Sequence, residues 1–293
     1  MVIFTNQNTH IKEGFLHFPK STRLPPIKTR ITEYQQIRLI PQAFGYRCEI
    51  VYNYQEQDLK LNKEHVLGLD LGLTNLITAV NNQGLAPFII KGGIVKSVNQ
   101  YFNKTNAELQ SLKDNQNYGF QTKHQQRLLQ KRNDKITDFF HKASRYLIEY
   151  CIAHDLGTIV IGYNEGWKQA IELGKRTNQN FVQLPFAELV SIITYKAKMV
   201  GIIVIIQEES YTSKCSFPDN ESIEYHAVYL GHRIHRGLFC THEGKIINAD
   251  VNGALNIVKK AIPTAFAQGI EGVVLRPLSV NVIQKPIKST RFA

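Results

Sequence analysis

The stretch His65-Val66-Leu67-Gly68-Leu69-Asp70-Leu71-Gly72-Leu73-Thr74-Asn75 reads as a buried strand that ends on a carboxylate. Val66, Leu67 and Leu69 are residues a buried strand favours, and Gly72 permits the tight turn that follows. Far along the chain, Ile246-Ile247-Asn248-Ala249-Asp250-Val251-Asn252-Gly253-Ala254-Leu255-Asn256-Ile257 opens a helix. Asn248 and Asp250 suit its first turn, and Ala254, Leu255, Ile257 and Val258 recur at helical spacing. Two carboxylates delivered from distant segments are what a pair of divalent ions needs to cut a phosphodiester. Alone, Asp70 would be a turn residue and Asp250 a helix cap; together they point to a metal-dependent nuclease.

Composition supports an acidic partner. The 293 residues are 43% hydrophobic, enough to bury a substantial core, and 35 Lys and Arg against 24 Asp and Glu leave a net charge of +11. Such an excess favours nucleic acid. It is concentrated between Lys123 and Arg145, where seven basic residues (Lys123, Arg127, Lys131, Arg132, Lys135, Lys142, Arg145) face two acidic ones, Asp134 and Asp138. A helix with that face can follow a phosphate backbone. Met1-Val2-Ile3-Phe4-Thr5-Asn6 lacks the flank and apolar stretch of a signal peptide, and the apolar run from Met199 to Ile206 is too short to span a bilayer. A cytoplasmic protein with no membrane partner is expected. Cys48, Cys151, Cys215 and Cys240 are scattered without a CxxC pair, so a disulfide framework is not expected.

Along the chain, alternation predicts strands at Ile27 to Ile31, Ile37 to Ile40 and Tyr46 to Tyr54. Val66 to Leu69, Leu76 to Val80 and Phe88 to Ile90 then read as three antiparallel strands, the way an RNase H-like sheet begins. Helices follow over Ser97 to Leu112 and Thr122 to Cys151. The second has a core-facing stripe of Phe139, Ala143, Tyr146, Leu147 and Tyr150. Strand Thr158 to Gly162, a polar loop to Gln183, helix Phe186 to Val200 and strand Ile202 to Ile206 complete a strand-helix-strand unit.

Gly68-Leu69-Asp70-Leu71-Gly72-Leu73, Tyr211-Thr212-Ser213-Lys214-Cys215-Ser216 and Asn248-Ala249-Asp250-Val251-Asn252-Gly253-Ala254, in this order, closely resemble the TnpB (OrfB) proteins of bacterial insertion sequences. The resemblance runs from about Ile27 to Ile262. It implies an α/β fold, an RNase H-like (RuvC) mixed sheet flanked by helices, with a zinc-finger-like insertion. It also implies a transposase-family, RNA-guided DNA endonuclease related to type V CRISPR effectors, which takes a guide RNA from the transposon end and a double-stranded DNA target. The expected division is a partial β-rich wedge-like region at 1–62, a nuclease domain at 63–262 with a degenerate insertion at 211–247, and an irregular basic tail at 263–293. In a bacterial host the protein would be nucleoid-associated when bound to DNA.

By this resemblance Asp70 and Asp250 are the first and third catalytic carboxylates, holding two Mg²⁺ ions. The chain departs from the family at the second. The usual glutamate ends the strand written here Ile159-Val160-Ile161-Gly162, and glycine occupies its place. Candidates for the displaced carboxylate are Glu209, preferred, then Glu208, then Glu165. Adjacent strands lie about 4.8 Å apart, within a glutamate's reach, and Gly162 leaves room. Because successive strand residues face opposite ways, only one of Glu208 and Glu209 should point at the ions. Related members of the family resemble this chain in using a relocated glutamate.

The insertion departs too. Where the family commonly has two CxxC pairs, only Cys215 and Cys240 match, and a tetrahedral zinc site needs four ligands. His226, His232, His235 and His242 are the residues that would complete it, His242 foremost; otherwise they are surface histidines on a conventionally packed loop. Trp167, Lys168, Lys175 and Arg176 are further candidates for stacking and phosphate contacts. Competing classes are a nuclease-inactive RNA-guided DNA-binding protein, a truncated transposase-family remnant, and an actin-like ATPase suggested by Asp70-Leu71-Gly72-Leu73-Thr74-Asn75. The last lacks a second glycine-rich phosphate motif.

Overall fold

Apolar residues two apart give the N-terminal region its strands. The computed structural model, which describes residues 1–116, 118–164, 184–267 and 277–283, begins with β1 (Val2–Thr5), β2 (His10–Lys12), β3 (Phe15–His17), β4 (Ile27–Lys28), β5 (Gln36–Pro41) and β6 (Tyr46–Val51). They form two antiparallel sheets, β1-β5-β6 and β2-β3-β4. Leu16, Phe18 and Ile37 are their core, with Phe4, Ile11, Tyr34, Cys48 and Ile50 packed around it. The sequence expects none of β1 to β3, since strands of three or four residues carry too little alternation to stand out from a loop. These strands group with Tyr101–Lys135 as one compact unit, and Glu56–Gln100 with Ile136–Ala293 as the other. The division cuts after Gln55 and within both long helices, giving the C-terminal part of the first and the N-terminal part of the second to the N-terminal unit.

The second unit starts with the meander β7 (Val66–Leu71), β8 (Asn75–Asn81) and β9 (Phe88–Lys91), paired antiparallel. Then come the long helices α1 (Gly93–Asn115) and α2 (Lys123–Ala153). Helix α2 opens on a capping box in which the Thr122 hydroxyl accepts from Gln125 N and the Gln125 amide oxygen accepts from Thr122 N. Strand β10 (Thr158–Gly162), helix α3 (Phe186–Met199) and strand β11 (Ile203–Gln207) follow. β10 runs parallel to both β7 and β11. With β15 (Leu278–Val280) parallel to β9, the sheet order is β11-β10-β7-β8-β9-β15. Strand β15 lies in the span expected to be irregular; three residues gave no periodicity to read.

Alternation decides which face each side chain joins. Leu67, Leu69 and Leu71 of β7 and Ile159 and Ile161 of β10 turn to the side packed by Phe139, Phe140, Ala143 and Leu147 of α2 and by Phe186, Leu189 and Ile193 of α3. Val66 and Val160 turn the other way, to a second core with Val251, Ala254, Leu255, Ile257 and Val258. Asp70 and Gly162, at even spacing from these valines, therefore belong to the second face.

That face is covered by a segment the sequence read only at its ends. A small antiparallel sheet, β12 (His232–His235), β13 (Leu238–Cys240) and β14 (Ile246–Asn248), leads into helix α4 (Ala249–Ala261). Asn248 caps α4, its side chain accepting from Asp250 N and Val251 N at 3.0 Å each. Helix and sheet meet closely because β7 carries Gly68: a Cβ there would stand 2.2 Å from Val258 Cγ2 and 3.2 Å from Ala254 O. Two wholly buried asparagines, one helical turn apart, bind the preceding motif to the helix. Asn252 donates to Cys215 O at 2.9 Å and accepts from Phe217 N at 3.0 Å, and Asn256 donates to Thr212 O at 2.9 Å and Cys215 O at 2.7 Å. Among the described residues no helix is long and apolar enough to cross a membrane.

Replacing Asn252 with Leu keeps the volume but strands the buried Phe217 N–H, while Cys215 O keeps its bond from Asn256. The expected loss of stability is roughly 1–3 kcal/mol, read as a lower denaturant midpoint with an unchanged slope.

Candidate functional site

The turn after β7 folds back on itself, Gly72 N donating to Leu76 O at 3.2 Å, so that Asn75 returns beside Asp70. Across from it the start of α4 presents Asp250. The two aspartates share a cavity of about 590 Å³ with Glu209 on one wall and Asn75, Arg233 and Arg236 on another. All these residues belong to the second unit.

Glu209 reaches the cavity from just beyond β11. Gly162 pairs with Gln207, the last residue of that strand. From there Glu209 N donates to Asn164 Oδ1 at 2.9 Å, and Glu209 O accepts from Thr212 N and its hydroxyl. The side chain then lies over Gly162: a Cβ there would be 2.2 Å from Glu209 Oε1 and 3.0 Å from its Cδ. The carboxylate thus occupies space that any side chain at position 162 would need. Its Oε1 is buried with no hydrogen-bond partner.

Glu208 faces elsewhere. Its carboxylate accepts from Lys260 Nζ at 2.7 Å and from the N–H and hydroxyl of Ser210. Burial acts to raise its pKa, but those hydrogen bonds and the Lys260 charge bring it below the ordinary value. It lines no wall of the cavity. Glu165, with Trp167, Lys168, Lys175 and Arg176, lies outside the described residues.

The electrostatics are those of carboxylates crowded into a buried space. Burial, then the charges of Glu209 and Asp250, hold Asp70 well above the usual carboxylate range, against a lowering by Arg233. Burial, then Glu208, push Glu209 up to about 7. Asp250 is engaged on both oxygens: Oδ2 accepts from Asn75 Nδ2 at 2.7 Å and Oδ1 lies 3.6 Å from Arg233. Among the described residues no three His, Cys, Asp or Glu side chains converge into a metal cluster, these carboxylates included. Three like charges have no reason to converge without a cation between them. In donor type they fit a hard, oxygen-seeking ion such as Mg²⁺, and the unpartnered Glu209 Oε1 is a lone pair available to it.

Cys215, Cys240 and His242 do not fit zinc. They form no three-ligand group. Cys215 is buried and donates weakly to Glu224 O at 3.7 Å; burial first of all raises its pKa, which disfavours the thiolate that would bind metal. Cys240 faces Thr241 O, and His242 N donates to Asp219 at 2.9 Å. Carboxylates knit the loop instead. The buried Glu221 accepts from Ser216 N at 2.7 Å and Leu230 N at 2.8 Å, while Asp219 Oδ2 also takes the Ser216 hydroxyl at 2.5 Å. Zinc is possible but not favoured by the sequence, which matches only half of the ligand set, and the hydrogen bonds of Glu221 and Asp219 hold the loop among the described residues.

Of the basic residues on α2, Lys123, Arg127, Lys131, Lys135, Lys142 and Arg145 are exposed and fall within one arc of the helix, while Arg132 is partly buried on another side. Arg127 stacks over Phe44 with 4.6 Å to the ring centroid, Lys142 pairs with Asp138, and Arg145 pairs with Glu149 at 2.7 Å. Arg145 thus neutralises a buried carboxylate as well as facing solvent. Sequence reading missed Asn75, Arg233 and Arg236. Asn75 stood inside the quoted motif, five residues after Asp70, but nothing local says that it bonds to a helix 175 residues away.

Comparison with known proteins places this geometry. The family profile OrfB_IS605, described as "Probable transposase", matches residues 49–168, and the profile "Cas12f1-like, TNB domain" matches residues 186–257. The chain is 27% identical over 271 residues to the CRISPR-associated endodeoxyribonuclease Cas12f2 of Micrarchaeota archaeon (strain CG1_02_47_40), covering 87% of this chain and 47% of that protein. It is 29% identical over 256 residues to the TnpB-like protein ORF457 of Acidianus two-tailed virus, covering 83% and 50%. In structure it is similar to Cas12f1 in a complex with single-guide RNA and target DNA, with a TM-score of 0.56 at 15% identity, over 77% of this chain and 45% of that one. The chain spans about half the length of the curated relatives it matches.

Two expectations follow. In metal-free protein, the native Glu209 keeps a proton between pH 4.5 and about 7 that the unfolded chain has released, so its burial lowers stability as pH rises through that window, by about 1.4 kcal/mol per unit. Glu209→Gln should therefore stabilise the chelated protein by roughly 2–3 kcal/mol more at pH 8 than at pH 5, read by denaturant titration at both. For the insertion, prolonged chelation should leave the melting temperature unchanged, whereas Glu221→Ala should lower it by several degrees, about 1–3 kcal/mol for two orphaned N–H groups.

Proposed function

We propose, from the premise that this chain belongs to the TnpB (OrfB) family, that it is a transposon-associated, RNA-guided DNA endonuclease whose cutting centre is Asp70, Glu209 and Asp250. The observation that carries the reading is the seating of the Glu209 carboxylate in the space left by Gly162. The order β11-β10-β7-β8-β9 with a carboxylate on its central strand supports an RNase H-like nuclease core.

Asp70, Glu209 and Asp250 would hold two Mg²⁺ ions, which when bound supply an activated water and a charge to stabilise the leaving oxygen. The chain's own residues prepare for this. Asn75 and Arg233 fix the Asp250 carboxylate, and burial keeps Glu209 protonated at low pH, so that cation binding competes with a proton below about pH 7. Arg233 and Arg236 add positive charge to the cavity lining, where a phosphate approaching the carboxylates would otherwise be repelled.

Exposed Lys123, Arg127, Lys131, Lys135 and Lys142 on α2, with the N-terminal strands, are proposed to grip the nucleic acid. The named relatives are a Cas12f1 resolved with single-guide RNA and target DNA, and endodeoxyribonucleases. By that kinship the partners of this chain are a guide RNA, proposed to come from the transposon end, and a double-stranded DNA target. The reading without cutting, an RNA-guided binder, is supported by the separation of the carboxylates, which among the described residues form no three-ligand metal group.

Purified chain bearing the RNA that copurifies from its host, assayed on cognate plasmid with Mg²⁺, separates the two. Asp70→Ala and Glu209→Gln should each reduce cleavage by at least about a hundredfold, while Glu208→Gln should remain within a few-fold of wild type. Equal loss in Glu208→Gln would remove the assignment to Glu209, and intact plasmid with the wild type would leave the binder.

A further inference from the structure

One wall of the cavity carries a group of donors that the carboxylates do not use. Thr74 sits exposed in the turn between β7 and β8. Its hydroxyl oxygen accepts from Lys96 Nζ at 2.7 Å and from Arg236 NH2 at 2.8 Å. Two cations therefore meet on one neutral oxygen. Among the described residues no carboxylate lies within ion-pairing distance of either. Lys91 also lines the cavity, its Nζ 3.5 Å from Asn75 Oδ1, and among the described residues it has no acidic partner within ion-pairing distance.

The backbone holds this arrangement in place. Arg236 projects from the β12–β13 turn, where Gly237 has φ +88° and its carbonyl accepts from Ala249 N at 3.0 Å, tying the turn to the start of α4 beside Asp250. A register shift between Arg233 and His235 re-aims the strand just before it. Lys96 lies in the first turn of α1, and Lys96 N donates to Gly92 O at 3.0 Å. Burial, then Arg236, hold its pKa below the ordinary lysine value, a sign of like charges left uncompensated.

Hydrogen-bond capacity identifies the missing partner. A hydroxyl whose oxygen already accepts twice has only its proton left to offer, and ammonium and guanidinium groups have no acceptors at all. Thr74, Lys96 and Arg236 thus present donors only: Thr74 and Arg236 line the cavity that holds the carboxylates, and Lys96 joins them through its bond to Thr74. We propose that these three residues form a phosphodiester-binding subsite that takes a backbone phosphate of the DNA strand neighbouring the one at Asp70, Glu209 and Asp250. The proposal rests on the nuclease reading for what occupies the cavity. The subsite would set the strand's register and polarity across the cutting centre.

Binding of a fluorescent single-stranded DNA oligonucleotide to the full chain, in Ca²⁺ without Mg²⁺, tests this apart from cleavage. Lys96→Gln and Thr74→Val should each weaken binding by about three- to tenfold near 0.1 M salt, and Lys96→Gln should lower the slope of log Kd against log salt by about one. Lys198→Gln, an exposed lysine paired with Glu56 that does not line the cavity, should do neither. Affinities and slope equal to wild type in both cavity variants overturn the subsite, as does a wild-type chain that binds no DNA. Weaker binding with an unchanged salt slope and a lowered melting temperature assigns Lys96 a purely structural role and overturns it too. Displacement of the oligonucleotide by inorganic phosphate at constant ionic strength would make this a free-anion site, against the proposal. If the variants weaken binding but wild type never cuts with Mg²⁺, the subsite stands and only the nuclease reading falls.

Discussion

The close seating of α4 on the sheet is the constraint from which the rest follows. Gly68 lets the helix approach to where a Cβ would overlap Val258, and Asn252 and Asn256 spend their buried amides on the backbone of the segment from Thr212 to Phe217. Buried amides need partners, and here each partner lies in that one segment. One helix therefore positions two things together: Asp250 at its own first turn, and the segment directly after Glu209. Asp70 needs no such help, because alternation on β7 already turns it to the α4 face.

Relocation of a carboxylate across a parallel sheet is then a small geometric change. Gly162 and Gln207 are paired on neighbouring strands, so a side chain two residues further along β11 can bend back over the glycine. A side chain at 162 and the Glu209 carboxylate as it is seated cannot occupy the same space. The consequence is electrostatic. A carboxylate that arrives from the neighbouring strand is buried beside Asp70, and both carboxyl groups rise above their usual range. Burial and like charge therefore act together on these carboxyl groups, and Asn75 and Arg233 restrain Asp250 at the helix start.

The insertion shows the same economy of means. Where two CxxC pairs would cross-link a loop through a metal, Glu221 and Asp219 cross-link it through backbone N–H groups and a hydroxyl. A carboxylate accepting from backbone donors needs no ion, provided that its donors are fixed. They are, because Asn252 holds the same Ser216 turn from below through Cys215 and Phe217. Arg233 and Arg236, from the sheet that follows, line the cavity.

The sequence by itself determined the elements whose signal is periodic and long. The meander from Val66, both long helices, Thr158–Gly162 and the flanking α3 and β11 were legible to within a few residues, because alternation and helical spacing report burial directly. It also carried Asp70, Asp250 and the vacancy at Gly162, which sit in distinctive frames. Short strands such as β1 to β3 and β15 escaped it, having too few residues for a period. What only the tertiary structure decided was which acid meets which space. Glu208 and Glu209 are neighbours of the same type, and nothing local separates them. The parallel register of β10 with β11 and the reach of Lys260 turn one to the cavity and tie the other away from it. Asn75, Thr74, Lys96, Arg233 and Arg236 belong to the same class: each owes its position to a partner distant in the chain, and long-range contact leaves no mark in local spacing.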